Sequence, residues 1–403
     1  MKVLQINCVY ATGSTGHITQ ALHTRLLTDG EQSQVCYGRG KPCHEDGVFK
    51  ICSELYSKLQ HALANTVGLK YGGCRIATKR LLNYIHDSKP DIVHLQCING
   101  YFVNIYELIS WLKQHKIKTL ATLHADFMYT ANCSTSADCD RWMSGCVDCP
   151  RANQQTRLLR PDRTALSWLK MKEAFSGFDN DCTIVSVSPW LRERAERAPI
   201  LKGLRHVTIE NGVNTDVFTP KNADFIRNKY LKRHRKLVLH VTASFSSDAS
   251  SLKGGRYVLE LAKRMPELCF AIVGNSAPLE NMPDNVVDVG RVENQEELAS
   301  WYSAADLCIL TSLRETFSMV TAESLCCGTP VVGFLAGGPE SIAIKEYSSF
   351  VEYGSIDALE AALRSMLTKE PDAMTVAAEA RQHYSLENMY RSYRQEYERL
   401  LDQ

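Results

Sequence analysis

Glu315 and Glu323 stand eight positions apart in SLRETFSMVTAESLCCGTPVVG (312–333), just ahead of a Gly-x-Pro and a valine pair. Paired carboxylates raise the prospect of glycoside hydrolysis, in which two acids face one another across about 5–9.5 Å from different elements. Along one helix, at about 1.5 Å per residue, these two backbones are expected roughly 12 Å apart. That spacing suits two ends of one elongated ligand. Between them a helix start would offer N–H groups and a positive dipole to an anion. Hydroxyl-rich ends around an anionic middle describe a nucleotide sugar. The plainer alternative makes Glu315 a capping acid and Glu323 a surface residue, yet AESLCCGTPVV sets Glu323 against an apolar face.

Other residues carry compatible chemistry. YATGSTGHITQALHTRL (10–26) holds Gly13 and Gly16 in a turn between a strand and a helix. Such a turn lets backbone approach a pyrophosphate; the full G-x-G-x-x-G is absent, and an ordinary turn is the rival. TASFSSDASSLKGGRYVLEL (242–261) places Lys253-Gly254 between a strand and a helix. Cys133, Cys139, Cys146 and Cys149 follow a C-x5-C-x6-C-x2-C spacing. Four thiolates so close can close a structural zinc site, for which C-x2-C is a usual half; four reduced structural thiols are the alternative. SKLQHALANTVGLKYGGCRIATKRLLNYI (57–85) carries Lys58, Lys70, Arg75, Lys79 and Arg80 among apolar residues. It reads either as a surface for anionic lipid or as two amphipathic helices with solvated charges.

Positioning these residues needs sheets. Short apolar runs alternate with helical patterns: KVLQIN (2–7), DIVHLQ (91–96), KTLATL (118–123), TIVSVS (183–188), KLVLHVT (236–242), CFAIVG (269–274), DLCILT (306–311) and PVVGF (330–334). Near-continuous apolar strands between amphipathic helices predict parallel sheets covered on both faces, an α/β doubly wound fold. A Gly-, Asn- and Pro-rich stretch at 209–222 divides the 403 residues. The expected organisation is a Rossmann-like domain at 1–208, a second at 209–384, and a last helix at 385–403 that reaches back to the first. The crevice between two such domains is the default ligand site. A net charge of +1 gives no global field for nucleic acid. No apolar run approaches a membrane span, and the N-terminus reads as a strand rather than a secretory segment. Fifteen cysteines, an odd count, point to a reducing cytoplasm.

The 312–333 stretch resembles the E-x7-E signature of retaining GT-B glycosyltransferases, the large family that includes sucrose synthases and bacterial mannosyltransferases. The resemblance implies that Glu315 faces the donor sugar and that the backbone of Thr316, Phe317, Ser318 and Met319 meets sugar and phosphate. Glu323 would bind the ribose, and the Gly13–Gly16 turn would lie over the diphosphate. Lys253 matches the lysine whose ammonium neutralises the departing diphosphate. The arginine usual just before it is missing, which leaves Arg256, Arg291 or Arg314 as substitutes. NGVNTDVF (211–218) resembles the interdomain NGVD-x-x-x-F, with Asn214 in the aspartate place. The turn near Gly290 and Arg291 would lie beside the base, and GFLAGGPESI (333–342) close to the sugar.

LHADFMYTANCSTSADCDRWMSGCVDCP (123–150) is similar to TLHD-x-W-x-x-TG-x-C…C…W…GC…CP of a subgroup making colanic acid, capsule and O-antigen. Ala125, Phe127, Ala131 and Asn132 depart from that pattern, while His124 and the four cysteines remain. His124 is thereby a candidate for orienting acceptor or donor sugar. The resemblance implies a retaining transfer from a nucleoside diphosphate sugar, UDP-sugar ahead of GDP-sugar, to a lipid-linked saccharide or other glycan acceptor. It implies no catalytic metal, no nucleic-acid partner, and a place in the cytoplasm or on the inner membrane face. A sugar-nucleotide epimerase and a phosphorylase-like enzyme are weaker fits. A non-catalytic nucleotide-sugar-binding scaffold subunit is the alternative from another class.

Overall fold

The computed structural model describes residues 1–150, 162–231, 236–276 and 282–402. Met1–Glu210 with Tyr390–Gln403 form one compact unit and Asn211–Met389 the other. The first unit is built on β1 (Lys2–Asn7), β2 (Gln32–Tyr37), β3 (Val48–Lys50), β4 (Ile92–Leu95), β5 (Lys118–Leu123), β6 (Cys182–Ser186) and β7 (Arg205–Thr208), in the order β3-β2-β1-β4-β5-β6-β7. Every pairing is parallel. The strand series reverses direction between β1 and β4, so loops leaving those two strands diverge and open a crevice at their carboxyl ends.

The second unit repeats this plan with β8 (Leu237–Phe245), β9 (Cys269–Ser276), β10 (Val286–Gly290), β11 (Leu307–Leu310), β12 (Val331–Phe334) and β13 (Ser348–Val351), ordered β10-β9-β8-β11-β12-β13. Its strands are also all parallel. The switch point falls between β8 and β11. Central strands are buried along their length, as β4, β11 and β12 are, because helices cover both faces. The core of this unit gathers Val238, Phe270, Ile272, Ile309, Val332 and Leu363, all with no exposed surface.

The last helix, Leu386–Leu401, is capped by Ser385, whose Oγ accepts from Asn388 N at 3.2 Å. From Tyr390 onward it belongs to the first unit, where Tyr393, Tyr397 and Leu400 are buried. Its hydroxyls enter a polar core beneath the sheet. Tyr397 OH lies 2.7 Å from His94 Nδ1, and Tyr393 OH lies 3.1 Å from Thr122 Oγ1. Such partnering offsets the cost of taking these polar groups out of water.

Candidate active site

The loops that leave β8 and β11 are strapped together. Leu313 N donates to Leu252 O at 2.8 Å, and Thr311 Oγ1 donates to Lys253 O at 2.8 Å. Gly254 sits at φ +64°, and a Cβ there would come within 2.1 Å of Thr311 O. Only glycine permits this approach. The strap brings Lys253 Nζ to 2.5 Å from Glu315 Oε1, a pair left partly open to solvent at 41% and 23% exposure. Opposite charges thus meet at the topological switch point of the second unit.

Glu315 is held by its backbone. Its N–H donates to Ala336 O at 3.0 Å, and its carbonyl accepts from Gly338 N at 2.9 Å. Glu340 fixes that glycine loop, accepting from Ala336 N at 3.0 Å and Gly337 N at 2.7 Å. A Cβ on Gly338 would stand 2.5 Å from the carbonyl carbon of Thr316, so the loop packs directly on the Thr316–Phe317 backbone. The helix then runs Met319–Cys326, with Ser318 as N-cap accepting from Thr321 N at 3.2 Å. Glu323 therefore lies in the second turn of that helix. Phe317 is buried at 3% exposure, which leaves its backbone, not its ring, for any ligand.

Glu323 is partly buried, and burial raises its pKa to about 7 against a hydrogen bond that Tyr302 OH donates at 3.0 Å. Tyr302 is itself buried and meets Phe218 edge-on, with ring centroids 6.2 Å apart. The NGVNTDVF segment therefore supports the residue that orients Glu323. Gly290 ends edge strand β10 at φ +78°, its N–H donating to Asp288 Oδ1 at 3.1 Å.

The three arginines proposed for the missing one differ in place. Arg256 donates to Tyr257 OH at 2.8 Å and stacks on that ring. Arg291 is exposed and pairs with Glu293 at 3.2 Å. Arg314, half-buried beside Glu315, donates to Leu313 O at 3.1 Å.

In the first unit Gly13 opens the Gly13–Thr28 helix at φ +65° with open space around it. Gly16 lies inside that helix, buried, with its carbonyl accepting from Ala11 N at 3.2 Å. It serves the packing of helix on turn. His124 follows β5, and burial lowers its pKa to about 4, which keeps the ring neutral.

A directional chain sets the ring's tautomer. Gln5 Nε2 donates to the Thr19 carbonyl at 3.2 Å, so Gln5 Oε1 is the acceptor for Gln96 Nε2 at 3.2 Å. Gln96 Oε1 is then an acceptor, and His124 Nε2 at 2.8 Å must carry the proton. Gln5, Gln96 and His94 escaped sequence reasoning because a polar residue inside an apolar strand carries no periodic signal. Glu210 also escaped; burial raises its pKa to about 7. Asp126, buried and accepting from both Ser136 N at 2.6 Å and Ser136 Oγ at 2.7 Å, did too.

Cys133, Cys139, Cys146 and Cys149 line one small cavity with Asn132 and Trp142. Burial raises the Cys133 and Cys146 thiols to about 12, so they are protonated. Among the described residues no three His, Cys, Asp or Glu stand together as a set able to hold a metal ion. The structural zinc site expected from their spacing is therefore not shown. In the basic stretch, Lys70 is 3% exposed and donates to Asn65 Oδ1 and Tyr101 OH, both at 2.9 Å. It is a core contact, not part of a charged surface.

Two parallel sheets with helices between their strands, and loop residues gathered at switch points, define an α/β chain of the GT-B fold. Residues 243–369, which hold Lys253, Glu315 and Glu323, match the family model described as glycosyl transferases group 1. D-inositol 3-phosphate glycosyltransferase 1 of Catenulispora acidiphila is 31% identical over 198 residues, covering 44% of this chain and 46% of that one. The putative colanic acid biosynthesis glycosyl transferase WcaC of Escherichia coli is 25% identical over 167 residues, covering 38% and 40%. The chain thus spans under half the length of the relatives it matches.

Solved structures align throughout. Sucrose-phosphate synthase from Thermosynechococcus elongatus superposes with a TM-score of 0.71 at 19% identity, over 100% of both chains. HepE of Anabaena in complex with UDP superposes at 0.65 and 14% identity, over 98% of this chain and 99% of that one. These identities speak for fold alone.

Proposed function

We propose that this protein is a glycosyltransferase that moves a sugar from a nucleoside diphosphate sugar, a UDP-sugar ahead of a GDP-sugar, to an acceptor hydroxyl with retained anomeric configuration. The observation that carries the reading is the convergence of Lys253 and Glu315 at the switch point, with Glu323 one turn along the following helix. In this reading Glu315 fixes the donor sugar and Glu323 the ribose. The backbone from Thr316 to Met319 receives sugar and phosphate. Arriving diphosphate draws Lys253 away from Glu315, and that ammonium stabilises negative charge as the sugar–phosphate bond breaks. The acceptor oxygen bonds the anomeric carbon on the face the diphosphate leaves, and the acceptor's proton passes to the departing phosphate oxygen. Gly13 and the Gly290–Arg291 turn are assigned to diphosphate and base. His124, neutral, is assigned to orienting a sugar hydroxyl.

The name of the Escherichia coli relative favours an acceptor in surface polysaccharide or glycoconjugate synthesis, a lipid-linked saccharide among them. No metal enters these steps. The four cysteines are assigned a structural role around their cavity. The test is incubation with UDP-, GDP- and ADP-sugars, with product anomers read by NMR. Donor turnover with retention supports transfer. Binding without turnover favours a nucleotide-sugar-binding scaffold, a reading kept in view because Arg256 and Arg291 are engaged elsewhere. No binding of any donor overturns both.

A further inference from the structure

The Glu54–Val67 helix is turned inside out. Its buried residues are Ser57 and Ala64, while Leu55, Leu59, Leu63 and Val67 are exposed at 67%, 60%, 51% and 39%. These four recur every fourth position, so at 3.6 residues per turn they form one continuous apolar stripe about 20 Å long. A surface helix ordinarily buries such a stripe and wets its small polar residues. Here the inner face is held by polar contacts. Ser57 Oγ lies 3.2 Å from Cys52 Sγ, the His61 ring stacks on Tyr101 with centroids 4.4 Å apart, and Ser53 caps Tyr56 N at 3.2 Å. The helix is well made, capped at its far end by Gly68 in the left-handed conformation. Its outward leucines are therefore a property of the folded chain and not of a frayed segment.

The charge around the stripe has one sign. Gln60 Oε1 accepts from Cys74 N at 2.8 Å, which sets the start of the Arg75–Ser88 helix beside the middle of the stripe. That start exposes Ile76 at 64% together with Arg75, Lys79 and Arg80, and Lys58 is exposed on the first helix. Glu54 is the one acid between residues 54 and 86, and it is taken up by Arg39 Nε at 2.9 Å and Gly40 N at 2.6 Å. An aliphatic stripe rimmed by exposed cations is the pattern of a helix lying in a lipid interface, where apolar area and attraction to anionic headgroups add. Among the described residues no helix is long and apolar enough to cross a membrane. Association through this face would be peripheral.

We infer that Leu55, Leu59, Leu63, Val67 and Ile76, with Lys58, Arg75, Lys79 and Arg80, form a docking face for an anionic lipid surface. The inference does not require the transferase reading, and its test needs no donor or turnover. Full-length protein is sedimented with vesicles of phosphatidylcholine alone or of phosphatidylcholine with phosphatidylglycerol. The protein pellets with the anionic vesicles only, and added salt releases it. A triple variant, Leu55→Ser, Leu59→Ser and Leu63→Ser, keeps the wild-type melting temperature because it removes exposed groups, yet loses vesicle affinity by more than about a hundredfold. Lys58→Glu with Lys79→Glu and Arg80→Glu loses binding to the same extent. Wild-type protein that stays in the supernatant at low salt overturns the inference, as does a leucine variant that binds normally. A wild-type dimer that the leucine substitutions dissolve also overturns it, since the stripe would then be covered by a second copy of this chain.

Discussion

Lys253 and Glu315 form an ion pair across 62 positions of sequence, although each was singled out for a different end of the same reaction. The contact holds the lysine over the carboxylate before any anion arrives. Lys253→Ala and Glu315→Gln are each expected to lower donor turnover by about a hundredfold or more. Because the two side chains touch and are proposed to act at one centre, the double variant should fall well short of the product of the single losses. Steady-state donor consumption by wild type, both singles and the double settles this; independent, multiplicative effects would separate the residues functionally.

Glu323 supplies a pH signature. Burial raises its pKa to about 7, so the carboxylate we assign to the ribose is fully formed only above neutrality. Nucleotide affinity should tighten from about pH 6 to about pH 8 in wild type and lose that slope in Glu323→Gln. The stability term runs the other way: the folded chain keeps a proton that the unfolded carboxyl, near 4.5, has lost. This contribution is present below about pH 4.5 and fades as pH rises through 7. Titration calorimetry and urea unfolding across that range read the two effects separately.

Gly254 is expected to tolerate no side chain. Gly254→Ala places a methyl 2.1 Å from Thr311 O at a left-handed φ of +64°, which together should cost more than about 2 kcal/mol in urea unfolding. Gly290→Ala, at φ +78° with no atom within 4 Å, meets only the backbone term and should cost about 1–2 kcal/mol.

The Thr19–Gln5–Gln96–His124 chain predicts a single neutral tautomer. Nitrogen-15 NMR of histidine-labelled protein should show His124 protonated at Nε2 and still neutral at about pH 5, its pKa lowered to about 4 by burial. Stability from this group is complete above 6.5 and is lost as pH falls toward 4, because only the unfolded ring takes up the proton there. Gln96→Leu should yield a mixed tautomer signal. A proton found on Nδ1 in wild type would contradict the chain's direction.

Tyr397→Phe removes the hydroxyl 2.7 Å from His94 Nδ1 while keeping the ring in place. The expected loss is about 1–3 kcal/mol, since a buried ring nitrogen is left short of a partner. Urea unfolding of this variant beside Tyr390→Phe, whose hydroxyl instead reaches Asp29 at 2.7 Å in a more open setting, should show the larger cost at Tyr397.

Legibility followed burial. All eight strands expected from apolar runs exist, because strands covered on both faces are written as unbroken Val, Ile and Leu. The five that went unseen are β2 and the edge strands β3, β7, β10 and β13. β7 (RHVT) and β13 (SSFV) are only half-buried, so their sequences keep polar residues and lack that run. The glutamates, the Lys-Gly turn and the cysteines were visible from residue type and spacing within one short stretch each. Their relations were not: the 2.5 Å approach of Lys253 to Glu315 and the chain that fixes His124 join residues that the sequence separates, and the 54–67 helix turns outward the apolar stripe that its own periodicity would bury. Local spacing fixes periodicity and caps, whereas the direction a face points, and which distant group a side chain meets, depend on how the strands are ordered. That order is set by packing over the whole unit, and only the tertiary structure carries it.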